Sequence, residues 1–474
     1  MLHARAALRL GRGSCRRLLS SSPFPRVDIF TPTTEHAQLR SLVRAFASEE
    51  VEPQALAFNR EERFNHPLFR RAGELGLLGA SADPAHGGSG LDATAVAIIH
   101  EELSAADPAF CLSYLAHSLL FVNNLSCNGS EAQKAAFLPR ACAGELLCGM
   151  AMSEAGAGTD VLAMGTRAEV SADGATATLT GSKMWITNGA ASDTELGDAY
   201  LVYARDAAPA GGGKKASFSL FLVEKGMAGF SLGQRIKDKC GMRASNTAEL
   251  VLDGVRVPTA THRVRGRLRK RRTPTHTHLH THHASRALGT RAPSHTPPPP
   301  PPPPPPLPPP QVGLAGDAVA HMMRNLEVER LALAAMSLGI ARRCVEAMVT
   351  HGGQRVAFGG PINRFGQVQR HIADSYAEYA AGRAYVYNTA YNMDLSRAGG
   401  RLDSDGVKLF ATPMATNVAS RAIQVLGGLG YCGEYVVERL WRDAKLLEIG
   451  GGTVEAHQFN MSRDLAKNWG GRLN

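Results

Sequence analysis

The chain has 474 residues, 44% of them hydrophobic, enough to bury a core divided among about two to four domains. Its net charge of +10 invites a nucleic-acid role, but the basic residues are concentrated in two segments: 1–26 holds six arginines and no acid, and 263–311 holds nine Lys or Arg and no acid. Removing those 15 from the chain's 52 Lys or Arg leaves 37, against 42 Asp or Glu, so no basic binding face is expected.

No run approaches about 18 consecutive apolar residues, so no membrane span is expected. The eight cysteines form no CxxC pair, which argues against a zinc ribbon or a redox pair; no metal site is expected.

Residues 1–26 pair an Arg/Ser-rich composition with Leu8, Leu10, Leu18 and Leu19 and have no acid, the profile of a mitochondrial transit peptide. Residues 33–150 read as a helical domain. Thr34 is expected to cap a helix with Leu39, Leu42, Val43 and Phe46 on one side, and Pro53 to end or kink it. His66-Pro67 opens a second helix ending near Gly76, and Ala93–Ala105 and Phe110–Asn124 are apolar, alanine-rich runs.

From about residue 151 the period changes to that of a β domain over 151–262. Ala177–Thr180 and Lys183–Thr187 read as strands with the Asn188-Gly189 turn signal after them, and Ser217–Val223 as another strand. Asp253-Gly254 is expected to turn a hairpin between Glu249–Leu252 and Val255–Val257. Residues 263–311 run from RVRGRLRKRR through THTHLHTHH to a proline tract, Pro297–Pro310, broken by Leu307. This segment cannot bury a core. It is read as a disordered low-complexity insertion or translated non-coding sequence; weak metal binding by its histidines or docking of its prolines in an SH3-like groove are the alternatives. Residues 312–474 return to helix at His321–Val349, Gln367–Leu395, Ser404–Val425 and Glu434–Lys445, the pattern of a bundle.

Several stretches then point to chemistry. AMSEAGAGTD at 151–160 is a small-residue connection with two hydroxyls, and WITNG at 185–189 ends a strand with an aromatic plate beside a hydroxyl. With GMRASNT at 241–247, RVAFGGPI at 355–362, QVLGGLGY at 424–431 and RDAKLLEIGGGTVE at 442–455, they make the chain resemble the acyl-CoA dehydrogenase family over about 33–262 and 312–474. The resemblance implies an α+β multidomain fold: an N-terminal helical domain, a central β-barrel-like domain and a C-terminal four-helix bundle. It implies FAD, an acyl-CoA substrate, electron-transfer flavoprotein as acceptor, and a homotetramer. It places Met152, Ser153, Gly158, Thr159, Trp185, Ile186 and Thr187 around the flavin, with Thr159 also toward CoA. Arg355, Gln424, Val425, Leu426, Gly427, Gly428, Thr453 and Glu455 would hold the dinucleotide, partly from a neighbouring subunit.

Removing an α-proton from a thioester requires a carboxylate whose basicity is raised by burial and a site that stabilises the enolate oxygen. Most family members carry this glutamate in a YEGT-like loop, where this chain has Gly451. The other family location, in an LDLERL-like helix, reads LEVERL here and aligns Glu329 with the base. Glu327, Arg330, Gly451 and Gly452 would line the substrate, with the Gly451 N–H directed at the thioester carbonyl. The helix location, LSYLAHS at 112–118 and GSEAQK at 129–134 are similar to isovaleryl-CoA dehydrogenases, and glycines 450–452 are expected to leave room for a methyl branch. This implies oxidation of isovaleryl-CoA in leucine breakdown. Dehydrogenases for 2-methylbutyryl-, isobutyryl- or butyryl-CoA, an acyl-CoA oxidase, and a non-catalytic product disrupted by the insertion are the rivals. The chain departs from the pattern at Ala155, Ala320, Gly366 and Leu447.

Overall fold

A computed structural model describes residues 28–207, 217–259, 263–264 and 317–469. The leader 1–26 and residues 265–311 of the predicted insertion lie outside the described residues.

The N-terminal part contains α1 (Thr34–Phe46), α2 (Glu52–Glu61), α3 (His66–Glu74), α4 (Ala93–Ala106), α5 (Pro108–Leu115), α6 (Asn124–Asn128) and α7 (Glu131–Cys142). The cap of α1 is one residue earlier than expected: the Thr33 side chain accepts from the His36 N–H at 3.4 Å. Leu42 faces solvent, while Val43 and Phe46 are buried. Pro53 ends nothing. It sits in the first turn of α2, directly after a π-helical stretch over Ala47–Val51 that continues α1. A π-helical stretch, Ala116–Asn123, carries α5 into α6, so the apolar run expected as a helix is helical throughout with a widened centre. That run, Pro108–Asn128, is long and apolar enough to cross a membrane, yet its most apolar stretch is 89% buried inside the protein.

The central part is an open sheet. Its strands are β1 (Cys148–Ala151), β2 (Arg167–Val170), β3 (Thr176–Ile186), β4 (Ala199–Asp206), β5 (Phe218–Glu224), β6 (Phe230–Arg235), β7 (Ala248–Pro258) and β8 (Arg263–Val264). They lie in the order β6-β7-β3-β2-β4-β5-β8, with β1 added parallel to β4. Two expectations change here. Asp253-Gly254 does not turn a hairpin, because β7 runs straight through it, antiparallel to β3. Three steps along β7, from Val255 to Leu252, match two along β3, from Leu179 to Gly181, so the Asp-Gly pair forms a bulge in which Gly254 takes φ +67°. The two strand fragments at 177–187 are likewise one strand. A second irregularity, between Lys183 and Ile186, puts Trp185 at φ +60°.

The C-terminal part holds α8 (Asp317–Gln354), a short hairpin of β9 (Val356–Ala357) and β10 (Gly360–Pro361), then α9 (Gly366–Asn392), α10 (Arg401–Leu426), α11 (Gly428–Tyr431), α12 (Val436–Leu447) and α13 (Val454–Trp469). The last helix was not expected from the sequence.

One apolar core runs through both helical parts and one face of the sheet, and a smaller one fills the other face around Tyr200, Phe221 and Leu250. Helix α4 is buried along its whole length. It crosses α8 at Gly339, where a Cβ would overlap Ser104 Oγ and the Glu101 carbonyl, and Ser104 Oγ donates to the Met336 carbonyl at 2.7 Å. Gly339→Ala is therefore expected to cost about 3 kcal/mol by overpacking, read as a fall in melting temperature.

Beside this crossing, α4 brings two acids to four arginines. Arg40 reaches Glu101 at 2.9 Å and Glu102 at 2.5 Å, Arg44 and Arg342 also bind Glu102, and Arg383 binds Glu101 at 3.1 Å. Burial alone would raise the Glu102 carboxyl, but Arg44, Arg342 and Arg40 outweigh it and hold it at about 2, below its ordinary 4.5. A depressed carboxyl stabilises the fold fully above its unfolded value and loses that contribution as the pH falls through the folded one. Acid melts should show about 3 kcal/mol lost between the two values, and Glu102→Gln should flatten that slope.

Candidate active site

Trp185 opens the site. The bulge in strand β3 turns this indole outward until it is 54% exposed, with Ile186 buried behind it and Thr187 half-buried beside it. Asn188, at φ +62°, anchors the turn by donating to the Ser113 and Cys148 carbonyls at 2.9 and 3.0 Å. The 151–160 connection runs alongside: the Met184 N–H donates to the Ser153 carbonyl at 2.9 Å, so Ser153 and Trp185 are neighbours. Lys183, fully buried, ties the connection down from below through the Met152 carbonyl at 3.1 Å and Glu154 at 2.8 Å. Burial lowers its ammonium to about 8, against the pull of Glu154. Gly158 and Thr159 are exposed, with nothing within 4 Å of where a Cβ on Gly158 would stand.

Glu329 lies on α8 facing the glycine loop between α12 and α13. Burial pushes its carboxyl up to about 7 from 4.5, against the opposing charges of Arg330 and Lys408. Part of the residue stays open to solvent, so the carboxyl is desolvated without being sealed. Gly451, at φ +66°, packs directly on it: a Cβ there would stand 3.3 Å from the Glu329 carboxyl carbon and 2.6 Å from Leu333 Cδ1. The space expected to be left free by the glycines is thus filled at 451 by Leu333 and by the base itself. It is open at Gly450, where the nearest atom to a Cβ is the Leu446 carbonyl oxygen at 3.6 Å.

The other predicted substrate residues are committed elsewhere. Glu327 accepts from the Gly399 and Gly400 N–H groups at 2.9 and 3.0 Å, ahead of α10. Arg330 pairs with Asp405 at 2.8 Å and donates to the Gly451 carbonyl at 3.4 Å. Asp405, Lys408 and His457 stand behind the loop and were missed in the sequence. Their signal was charge at core-facing positions of helices, since all three are fully buried.

The predicted dinucleotide residues form a separate group. Arg355 is exposed just beyond the end of α8, about 38 Å along the helix from Glu329. Gln424, Gly427 and Gly428 are exposed at the end of α10, with open space around both glycines, whereas Val425 and Leu426 point into the core. Thr453 caps α13 by accepting from the Ala456 N–H at 3.3 Å, and Glu455 is exposed beside it. Of the departures noted in the sequence, Leu447 is core, Ala320 is exposed and Gly366 opens α9.

An outward indole, and a desolvated carboxyl against a glycine loop, suit an enzyme that takes a proton beside a flat cofactor. The chain belongs to the acyl-CoA dehydrogenase family: the family's N-terminal domain matches residues 33–145, its middle domain 149–255 and its C-terminal domain 318–466. It is 36% identical over 462 residues to a mitochondrial isovaleryl-CoA dehydrogenase of Oryza sativa, covering 97% of both chains. It is 34% identical to a mitochondrial 2-methylacyl-CoA dehydrogenase of Solanum tuberosum, covering 91% of this chain and 90% of the relative. The solved acyl-CoA dehydrogenase of Bacillus anthracis complexed with FAD superposes with a TM-score of 0.74 at 26% identity, over 93% of this chain and 68% of that one.

The enzyme is an oxidoreductase acting on CH–CH bonds of acyl-CoA, with FAD as cofactor. The residues present fit that group: the exposed Trp185 offers a flat apolar wall for a ring system, and the Ser153 backbone is tied to the strand beside it.

Proposed function

We propose that this enzyme converts isovaleryl-CoA to 3-methylcrotonyl-CoA, with Glu329 as the base. The observation that carries the proposal is the Glu329 carboxyl, raised to about 7, lying against Gly451 where other family members keep their glutamate. Glu329 takes the α-proton onto its carboxylate. The free N–H of Gly451 faces the thioester oxygen and stabilises the charge that develops there. FAD, when bound, accepts the β-hydride. Met152, Ser153, Gly158, Trp185, Ile186 and Thr187 shape its ring site, and Thr159 reaches toward CoA.

Arg355, Gln424, Gly427, Gly428, Thr453 and Glu455, with the backbone of Val425 and Leu426, hold the dinucleotide. Arg355 stands too far from its own Glu329 to share one flavin ring site with it, which supports a homotetramer in which neighbours complete each other's cofactor sites. Residues 1–26 direct the chain to the mitochondrial matrix, and the reduced enzyme hands its electrons to an electron-transfer flavoprotein. The chain's domains divide at 33–150, 151–262 and 312–474.

Anaerobic titration with acyl-CoA thioesters, followed by bleaching of the flavin band, tests the substrate. Isovaleryl-CoA is expected to bleach fastest. Faster bleaching by 2-methylbutyryl-CoA would move the assignment to the chemistry named for the potato relative, which is almost equally similar. Failure of every acyl-CoA would sink it.

A further inference from the structure

Lys183 is a buried cation that takes no part in the proton transfer. The other buried residues of β3, Ala177, Leu179 and Ile186, are apolar, and an ammonium among them is costly unless it is paired. Its Nζ donates to Glu154 at 2.8 Å and to the Met152 carbonyl at 3.1 Å. Glu154 is fixed in turn. Its carboxylate accepts from the Gly165 N–H at 2.6 Å, the Thr166 N–H at 3.0 Å and the Thr166 hydroxyl at 2.5 Å, just ahead of β2. The lysine is thus seated on an anchored carboxylate, and its other bond goes to one peptide of the 151–160 connection.

That peptide joins Met152 to Ser153. Its carbonyl points at Lys183, and in a trans peptide the N–H across the same bond points the opposite way. The Ser153 N–H is therefore directed away from the buried lysine, and among the described residues no acceptor is found for it. The following peptide is held as well: the Ser153 carbonyl accepts from the Met184 N–H at 2.9 Å, and the Glu154 N–H donates to the Ala157 carbonyl at 3.1 Å. With both peptides around Ser153 fixed, one unused amide donor remains on a half-buried residue near Trp185.

A flavin ring is apolar at its benzenoid end and carries its acceptors, two carbonyls and ring nitrogens, at the pyrimidine end. A spare N–H beside a flat apolar wall suits the second end. Negative charge gathers there on reduction, so a fixed donor binds the reduced ring more strongly than the oxidised one.

Resting on the placement of the flavin ring beside Trp185, we infer that Lys183, seated on Glu154, is a positioning residue that holds the Ser153 N–H outward as a donor to the pyrimidine end of the flavin. The lysine touches neither flavin nor substrate, because the peptide it holds lies between.

The test reads two properties of the protein without substrate: the FAD affinity of the reconstituted apoenzyme, and the midpoint potential of the bound flavin. Methionine and glutamine have side chains of equal length and no charge, and only glutamine can donate to the Met152 carbonyl. Lys183→Met is expected to lose about tenfold in FAD affinity and to lower the potential by about 30 mV, which is tenfold in the reduction equilibrium. Lys183→Gln should keep most of both. Should Lys183→Met not fold, the Lys183→Met, Glu154→Gln double variant, which leaves no carboxylate unpaired, takes its place with the same expectation.

A potential and an affinity unchanged in Lys183→Met would overturn the inference. So would Lys183→Gln falling as far as Lys183→Met, since that marks the charge of the lysine or its packing and not its hydrogen bond. Trp185→Ala run alongside separates the two readings. An FAD affinity that it leaves unmoved overturns the ring site and the positioning role together, whereas an affinity weakened by Trp185→Ala but by neither lysine variant removes the positioning role alone.

Discussion

Glu329→Gln enzyme is expected to purify with its flavin bound and to reduce that flavin with isovaleryl-CoA about 10³-fold more slowly than the parent, or worse. Glutamine preserves the shape and packing against Gly451 and Leu333 but cannot take a proton. The parent itself should show the carboxylate at work in its pH profile. A base must be ionised before it acts, so kcat/KM should climb about tenfold per pH unit below about 7 and level off above it.

The same shift has a stability consequence of opposite sense. Between 4.5 and about 7 the folded chain holds a proton that the unfolded chain has lost, so stability falls as the pH rises through that window. Allowing for the part of Glu329 open to solvent, the cost is about 2 kcal/mol above pH 7, and Glu329→Gln should melt higher than the parent at pH 8. An inactive variant no more stable than the parent would argue that the carboxyl is not desolvated.

Gly451→Glu should be nearly as damaging, although it restores the residue most of the family carries there. Its Cβ would stand 2.6 Å from Leu333 Cδ1 and 3.3 Å from the Glu329 carboxyl carbon, on a backbone at φ +66°. Leu333 can yield, since the clash is with the end of a flexible side chain. Two carboxyls sharing one site cannot both ionise, so the pair would hold a proton near neutral pH and neither member would be well placed. A rate loss of about 10²-fold is expected, larger for isovaleryl-CoA than for unbranched butyryl-CoA. Equal rates on both substrates would show that the acyl branch does not approach this loop.

Much of this was legible in the sequence, and the misses have physical causes. Glu329 was singled out as the candidate base because its neighbours spell a helix motif and because Gly451 cannot be a base. The Asp253-Gly254 pair was misjudged because positive φ serves a hairpin turn and a bulge alike, and only the partner strand decides between them. The Trp185 bulge is invisible locally for the same reason: it is a mismatch of register with β7, not a property of Trp185. Asp405, Lys408 and His457 were passed over because a charged residue on a helix is usually solvated, and their burial depends on α8 and α13 packing over α10. Val425 and Leu426 were assigned to the dinucleotide as part of a motif, whereas the pitch of α10 turns both inward.

Helix α8 also behaves as a gauge. One continuous 38-residue rod carries Glu329 under the glycine loop, Gly339 at the crossing with α4 and Arg342 at the buried acids, each on the face its partner demands. Each residue advances the rod by about 100° and 1.5 Å, so one residue added between Glu329 and Gly339 would swing everything after it off its partner. Material added ahead of Asp317 turns nothing, because the rod's phase is set by its own contacts. The coding sequence for this helix should therefore tolerate length changes at its leading edge and almost none within it.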